Sequence, residues 1–148
     1  MEIYADLEGA FIGGSTVPVE VMITNSRPDI TILDRRHEPA TVFLIELTIP
    51  FTSGINSAAD RKRARYEFLS TDIKEAGFNC QTIPIEICSR GHINSRNRSS
   101  LASIFHTCQV KKYSKTIKSL SKLSILGSYT VYNARRSETW NISSLLKP

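Results

Sequence analysis

The sequence RPDITILDRRHEPATVFLIELT, residues 27–48, contains two apolar segments rich in β-branched side chains. Such segments are typical of β-strands. An acidic residue stands at the start of the first segment, Asp29, and another lies inside the second, Glu46. A carboxylate in a buried strand is unfavourable unless a basic side chain, a set of backbone donors or a metal ion compensates it. The two acids therefore point to a site at this place in the fold.

The composition is that of an ordinary globular protein. The chain has 148 residues, of which 41% are hydrophobic and 22% charged, so we expect one domain with a sizeable core. It has no apolar run of about 18 residues and no basic leader, which predicts no membrane association and a cytoplasmic or nuclear location. The three cysteines lack a Cys-x-x-Cys spacing, so neither a disulfide framework nor a zinc site is indicated.

The charge is unevenly distributed along the chain. The net charge is +5, and residues 90–122 carry eight of the 19 basic residues without any Asp or Glu. This predicts a polyanionic partner. Lys111, Lys115, Lys118 and Lys122 follow a helical spacing and are also compatible with a solvated face. We expect Arg90, Arg96 and Arg98 to lie in a polar loop, residues 89–100, where guanidinium groups and backbone amides contact phosphates together.

The pattern of elements predicts an α/β protein. Residues 1–15 are expected to be a loosely structured lead-in to a single domain, residues 16–148. We predict strands at 16–23, 28–34 and 41–49, a helix at 57–77 with Ser57 and Asp60 as a capping box and Gly77 as C-cap, and a strand at 79–88 that pairs in parallel. Helical periodicity resumes at 101–105 and 113–123, and a short helix packing Tyr129, Tyr132 and Trp140 is favoured in residues 127–140. Together these elements form a mixed sheet flanked by helices.

One face of the helix after the Glu46 strand carries a lysine among apolar residues. Lys62, Tyr66, Leu69, Ile73 and Ala76 are spaced by three or four, so they form one stripe. A lysine on an apolar face either extends to solvent or pairs with an acid, and Glu46 is the predicted partner. The alternatives remain that Asp29 forms an Asx turn, that Glu46 and Lys62 are a structural pair, and that Tyr66 belongs to the core.

These residues resemble a known family. RPD (residues 27–29), the acid in IELT (45–48) and RKRARY (61–66) are similar, in order and spacing, to the restriction-like endonuclease domain of site-specific non-LTR retrotransposons, a branch of the PD-(D/E)xK nuclease superfamily. PIEICSRGHINS (84–95) and SYTVYNARRSETW (128–140) resemble the family's downstream strand, loop and tail. The resemblance covers most of the chain from residue 27 onward and implies a restriction-endonuclease-like fold.

The resemblance also implies roles for individual residues. Asp29 and Glu46 correspond to the metal-binding carboxylates, and the carbonyl of Leu47 completes the inner shell of Mg²⁺ or Mn²⁺. The superfamily usually has a lysine two residues after the second acid, where this chain has Thr48. In the retrotransposon branch that lysine moves to the following helix in a Lys-x-x-x-Tyr pattern, which Lys62 and Tyr66 match, with Tyr66 in a supporting role. Glu8 and Glu20 are the alternatives for a further N-terminal acid.

The expected function is therefore metal-dependent nicking of DNA. The family implies that the 3′ end so produced primes a reverse transcriptase domain of the same polyprotein. The nucleic-acid contacts are expected from Arg90, Arg96, Arg98, Lys111 and Lys115. The alternative is a catalytically inactive nuclease fold that acts as a nucleic-acid-binding or protein scaffold.

Overall fold

The computed structural model describes residues 1–6 and 15–135, with the side chains of Thr52 and Ile55 excepted. The predictions for Glu8 and Trp140 lie outside the described residues. The chain divides into two compact units. The first unit comprises Met1–Thr48 and Asn56–Glu86, and the second comprises Ile49–Ile55 and Ile87–Pro148.

The described elements are four strands, four α-helices and one turn of 3₁₀ helix. In chain order they are β1 (Glu2–Ala5), β2 (Ile30–Asp34), β3 (Thr41–Thr48), the 3₁₀ turn (Thr52–Gly54), α1 (Ile55–Arg65), α2 (Glu67–Glu75), β4 (Asn79–Glu86), α3 (Ser95–Thr107) and α4 (Tyr113–Ala134). No helix in the described part of the chain is long and apolar enough to span a membrane.

The four strands form one mixed sheet in the order β1-β2-β3-β4. β1 and β2 are antiparallel, as are β2 and β3, whereas β3 and β4 are parallel. The predicted mixed α/β class and the parallel pairing of the fourth strand are thus confirmed. β1 differs from the expectation for residues 1–15, because four residues of that segment form an edge strand.

The predicted strand at residues 16–23 is wrong. The carbonyl of Pro18 accepts hydrogen bonds from the amides of Val21 (2.9 Å) and Met22 (3.0 Å), so the segment turns. Val17 and Val21 are nevertheless buried in the core of the first unit. The apolar residues of this segment therefore belong to a helix-like turn and not to an extended strand.

The predicted helix at residues 57–77 is two helices that meet at Tyr66. The Tyr66 amide donates to the Arg63 carbonyl, three residues back, at 3.1 Å, which interrupts the α-helical ladder. Ser57 lies inside α1, which begins at Ile55, so the predicted capping box is wrong. Gly77 does end the segment, with φ of +93°, a left-handed conformation that favours glycine.

The core of the first unit lies on the face of the sheet that packs against α2. It contains Leu33 and Val42 from the strands and Tyr66, Leu69 and Ile73 from the helical segment. The stripe predicted from helical spacing is therefore buried over its middle part. Its ends differ, since Ala76 is exposed and Lys62 is only half-buried.

In the second unit, α3 begins inside the segment predicted to be a loop. The Asn94 side chain accepts the Asn97 amide at 2.8 Å and caps the helix, so Arg96 and Arg98 are helical rather than in a loop. α4 continues through Ala134 and so includes most of the predicted separate tail helix. Tyr129 and Tyr132 are exposed rather than packed.

Candidate functional site

The pairing of β2 with β3 brings the two predicted carboxylates to the same end of the ladder. The last pair in the antiparallel ladder is Ile30 with Ile45. Asp29 directly precedes this pair and Glu46 directly follows it, and the Asp29 carboxylate accepts the amide of Leu47, the residue after Glu46. Glu46 shares one face of the sheet with Leu44, a core residue. Glu46 therefore lies on the side that packs against the helices, and both acids belong to the first unit.

Glu46 is buried, and both of its carboxylate oxygens accept hydrogen bonds. Its side chain is 2% exposed. The Lys62 ammonium donates to Oε2 and forms an ion pair with it, and the Tyr66 hydroxyl donates to Oε1. Lys62 lies in the last turn of α1, and Tyr66, four residues further on, directly follows that helix. The predicted pairing of Lys62 with Glu46 is therefore present in the structure.

The carboxylate of Asp29 is fixed by the backbone of β3. Its Oδ2 accepts the amide of Leu47 at 2.7 Å. Desolvation raises the pKa of Asp29, and the charge of Glu46 raises this pKa further. The hydrogen bond from Leu47 and the charge of Lys62 act in the opposite direction and lower the pKa. Asp29 therefore lies within the electrostatic reach of both Glu46 and Lys62. We call Asp29, Glu46, Lys62 and Tyr66 the acidic cluster.

Tyr66 joins the acidic cluster to the segment before β2. Its hydroxyl lies 3.2 Å from the Arg27 carbonyl as well as within hydrogen-bonding distance of Glu46. Burial, followed by the hydrogen bond to Glu46, raises the pKa of Tyr66. The phenol therefore stays protonated at neutral pH and acts as a donor that orients the carboxylate.

A backbone oxygen faces the same edge of β3. In an antiparallel pair, the N–H and C=O of one residue point to the same neighbouring strand, so the Leu47 carbonyl points to the side of its amide, toward β2. The β2–β3 pairing stops at Ile30 and Ile45, and Pro28, which precedes Asp29, has no N–H to donate. The Leu47 carbonyl therefore lies near Asp29 at a position where the ladder ends.

These donors fit a hard divalent cation. Two carboxylates and one backbone carbonyl are all oxygen ligands, which Mg²⁺ and Mn²⁺ prefer, and Mg²⁺ keeps several waters when few protein ligands are available. Among the described residues, no group of three or more His, Cys, Asp or Glu side chains could hold a metal ion. Such an ion would therefore depend on the two carboxylates, the Leu47 carbonyl, water and substrate oxygens.

A further acid near the cluster was missed by the sequence reasoning. Asp6 follows β1, its amide donates to the Asp29 carbonyl at 2.8 Å, and its carboxylate binds Arg27 at 2.7 Å. Its charge contributes to the raised pKa of Asp29. Glu20, one of the two acids considered for such a role, instead forms an ion pair with Arg35. Only the pairing of β1 with β2 brings Asp6 to this place.

The predicted nucleic-acid contacts all lie in the second unit and are exposed. Arg90 follows the buried Cys88, and its guanidinium lies over the Phe51 ring, 5.3 Å from the centroid. Arg96 and Arg98 occupy the first turns of α3, where Arg98 Nε donates to the Ile93 carbonyl at 3.1 Å. Lys111 precedes α4, and Lys115 lies in its first turn.

The second unit also has a groove that the sequence reasoning did not identify. It is lined by Ile49 and Phe51 on one side and by the last turns of α4 on the other. The sequence indicated the basic character of the α4 side of this region, because the acid-free stretch extends beyond residue 122 to residue 137.

Comparison with protein-family models, curated proteins and solved structures finds no match for this chain.

Proposed function

We propose that the protein is a metal-dependent DNA endonuclease that nicks its target by phosphodiester hydrolysis. The observation that carries the proposal is that Asp29, Glu46 and Lys62 come together at one end of the β2–β3 ladder. Two carboxylates can hold a divalent cation and a lysine can neutralise a phosphate, which are the requirements of this reaction. The basic second unit supplies a polyanion-binding surface.

The residues of the acidic cluster have three roles in this mechanism. Asp29 and Glu46, with the Leu47 carbonyl, would hold Mg²⁺. When bound, the ion supplies Lewis-acid activation of the phosphate and a water of lowered pKa. Tyr66 holds the Glu46 carboxylate in one orientation. Lys62 places a positive charge where negative charge develops on the phosphate oxygens in the transition state.

The resemblance to the retrotransposon endonucleases adds a biological setting to the proposal. It implies a restriction-endonuclease-like fold, cleavage of one target strand and use of the new 3′ end by a reverse transcriptase domain of the same polyprotein. An intracellular location, cytoplasmic or nuclear, belongs to the same proposal. The support is the match of residues 27–29, 45–48 and 61–66 together with the geometry of the cluster.

A scaffold without activity is the second candidate, and one observation favours it. Lys62 and Tyr66 already satisfy both oxygens of Glu46, so the cluster also has the form of a buried structural network. A carboxylate oxygen carries two lone pairs, so a hydrogen bond leaves room for a metal ion. The two candidates therefore differ in metal binding and cleavage.

Nicking of supercoiled plasmid DNA in the presence of Mg²⁺ or Mn²⁺ tests the proposal. The wild-type protein should convert the plasmid to the open circle, and chelation should stop the reaction. Asp29→Asn and Glu46→Gln should each reduce the rate by at least a hundredfold, because each removes a ligand charge. Asp72→Asn, at an exposed acid of α2, is the matched control. Absence of nicking by the folded wild-type protein with either metal would favour the scaffold.

A further inference from the structure

The charges of the chain are segregated between its two units. The sequence of the second unit contains eleven Lys and Arg and one acid, Glu138, for a net charge of +10, whereas that of the first unit contains eight Lys and Arg and thirteen Asp and Glu, for a net charge of −5. A unit with so large an excess of one sign attracts polyanions and repels cations. The second unit therefore has the charge of a nucleic-acid-binding module.

The groove of the second unit has the size and lining of a nucleotide site. Its volume is about 560 Å³, within the range of roughly 300–1,000 Å³ that small organic ligands occupy. The walls are mainly apolar and aromatic, and a cation stands at the end of α4. The residues that carry the argument are Ile49, Phe51, Gly127, Val131, Tyr132 and Arg135.

Hydrogen bonds and close packing fix the two walls of the groove. The Ser89 amide donates to the Pro50 carbonyl at 2.9 Å and anchors the wall that carries Phe51. The Ser124 hydroxyl donates to the Cys88 carbonyl at 2.7 Å and anchors α4 to the same loop. A Cβ at Gly91 would lie 2.8 Å from the Ser121 carbonyl oxygen, so the loop contacts α4 where glycine is required. The groove is thus preformed.

Phe51 presents an aromatic surface beside two cations. Its side chain is 61% exposed although the Arg90 guanidinium lies over the ring. Phe51 lines the groove together with the exposed Ile49 and Tyr132, and a contiguous exposed apolar patch is typical of ligand-binding grooves. A nucleobase can stack on such a ring, and the neighbouring Arg90 and Arg135 can then contact the phosphates on either side.

We propose that this groove binds unpaired nucleotides of single-stranded DNA, with a base stacked on Phe51 and phosphates at Arg90 and Arg135. Bases within a duplex are stacked on each other and are not available to the ring, so duplex DNA gains only the electrostatic part of the binding energy. The lysines of α4, at positions 115, 118 and 122, lie on the opposite face of the helix by their spacing. Only the choice of DNA over RNA rests on the proposed function.

Fluorescence anisotropy with a labelled oligothymidylate of about 12 nucleotides, a length near the site size of single-strand binding modules, tests the inference. The full chain is used in EDTA, so the result is independent of catalysis. Single-stranded DNA should bind at least tenfold more tightly than a duplex of equal length, and RNA of the same base composition should bind no more tightly than the single-stranded DNA. Poly-glutamate, a polyanion without bases, should not displace it at equal charge concentration.

Two variants locate the binding to the groove. Phe51→Ala should weaken binding about tenfold, the loss of one base–aromatic stack, while Phe68→Ala, at an exposed aromatic of the first unit, should not. A Cβ at Gly127 meets no atom within 4 Å. Gly127→Leu should therefore fill the groove and weaken binding, yet leave the melting temperature equal or higher because leucine favours the helix.

The outcomes separate this inference from the proposed function. Any one of four results would overturn the inference, whatever the nicking assay shows. These are equal binding of single strand and duplex, tighter binding of RNA, displacement by poly-glutamate, and wild-type affinity in both Phe51→Ala and Gly127→Leu. Binding with the expected pattern by a protein that does not nick DNA would refute the proposed endonuclease alone.

Discussion

The Asp29 carboxylate accepts the backbone amide of Leu47 at 2.7 Å, in place of a ladder hydrogen bond at the end of β2. Pro28, the preceding residue, cannot donate to β3, and its own carbonyl accepts the Thr16 hydroxyl at 2.7 Å. The Pro-Asp pair therefore ends the ladder and replaces it with a side chain. This is why the carboxylate is held at the end of β3, within the electrostatic influence of Glu46.

The stability of the protein should depend on the protonation of Asp29. Its pKa is raised from the ordinary value of 3.8 by desolvation, and Glu46 adds to the shift. The folded state then binds the proton more tightly than the unfolded state, so stability falls as pH rises from 3.8 through the folded-state pKa. Asp29→Asn does not titrate, and its stability relative to wild type should rise over that window and then stay constant. Urea unfolding at a series of pH values measures this, and a difference independent of pH would contradict it.

Asp34 should show the opposite pH dependence. The Arg36 guanidinium hydrogen-bonds to this buried carboxylate and lowers its pKa to about 2. The resulting stabilisation is complete above the unfolded-state pKa of 3.8 and is lost as pH falls from there toward 2. Arg36→Gln should thus be less stable than wild type at neutral pH and should approach it in acid. If the deficit persisted unchanged at pH 2, the cause would lie elsewhere.

Removing the charge of Lys62 should leave a buried, uncompensated Glu46. We expect Lys62→Met to destabilise the protein by about 2 kcal/mol, below the roughly 3–5 kcal/mol of a fully buried pair, because 24% of the Lys62 side chain is exposed. The double variant Lys62→Met with Glu46→Gln should recover much of this loss, since no charge is then stranded. Lys74→Met, at an exposed position of α2, is the control. Additive effects in the double-mutant cycle would show that the pair does not interact.

The Tyr66 hydroxyl should contribute separately from the Tyr66 ring. Tyr66→Phe keeps the packing of a residue that is 1% exposed but leaves the buried Glu46 Oε1 without this donor, at a cost of about 1–3 kcal/mol. Tyr66→Ala also creates a core cavity and should cost about 3–5 kcal/mol. Thermal or urea unfolding of both variants measures the contributions of the hydroxyl and of the ring to the free energy of unfolding. Wild-type stability of Tyr66→Phe would mean that the hydroxyl contributes nothing beyond the ring.

Two glycines with positive φ should differ in their tolerance of alanine. Gly77 has φ of +93° and open space around it, so Gly77→Ala should cost about 1 kcal/mol, from backbone strain alone. Gly91 has φ of +77°, and a Cβ there would lie 2.8 Å from both the Ser121 carbonyl oxygen and Ile125 Cδ1. Gly91→Ala should therefore cost clearly more than Gly77→Ala. Similar unfolding free energies for the two variants would contradict the contact with α4.

The sequence determined the pairing of β3 with β4 and the identity of the acidic cluster. Alternation within IELT and the four-residue spacing of Lys62 and Tyr66 are local properties, and local periodicity fixes which side chains share a face. From those faces alone it followed that Lys62 would approach Glu46, since the helix directly follows the strand.

Where a local sequence pattern was compatible with more than one conformation, only the tertiary structure decided which one forms. Residues 16–23 have strand-like composition but form a turn, because Pro18 cannot join a ladder and Val17 and Val21 reach the core without one. Asp6 and Phe51 acquired their neighbours through β1 pairing and through the loop at Ser89. Such contacts join residues distant in sequence, and no local period encodes them. The acids and the lysine were therefore identifiable from the chain, whereas the groove and the end of the β2 ladder required the fold.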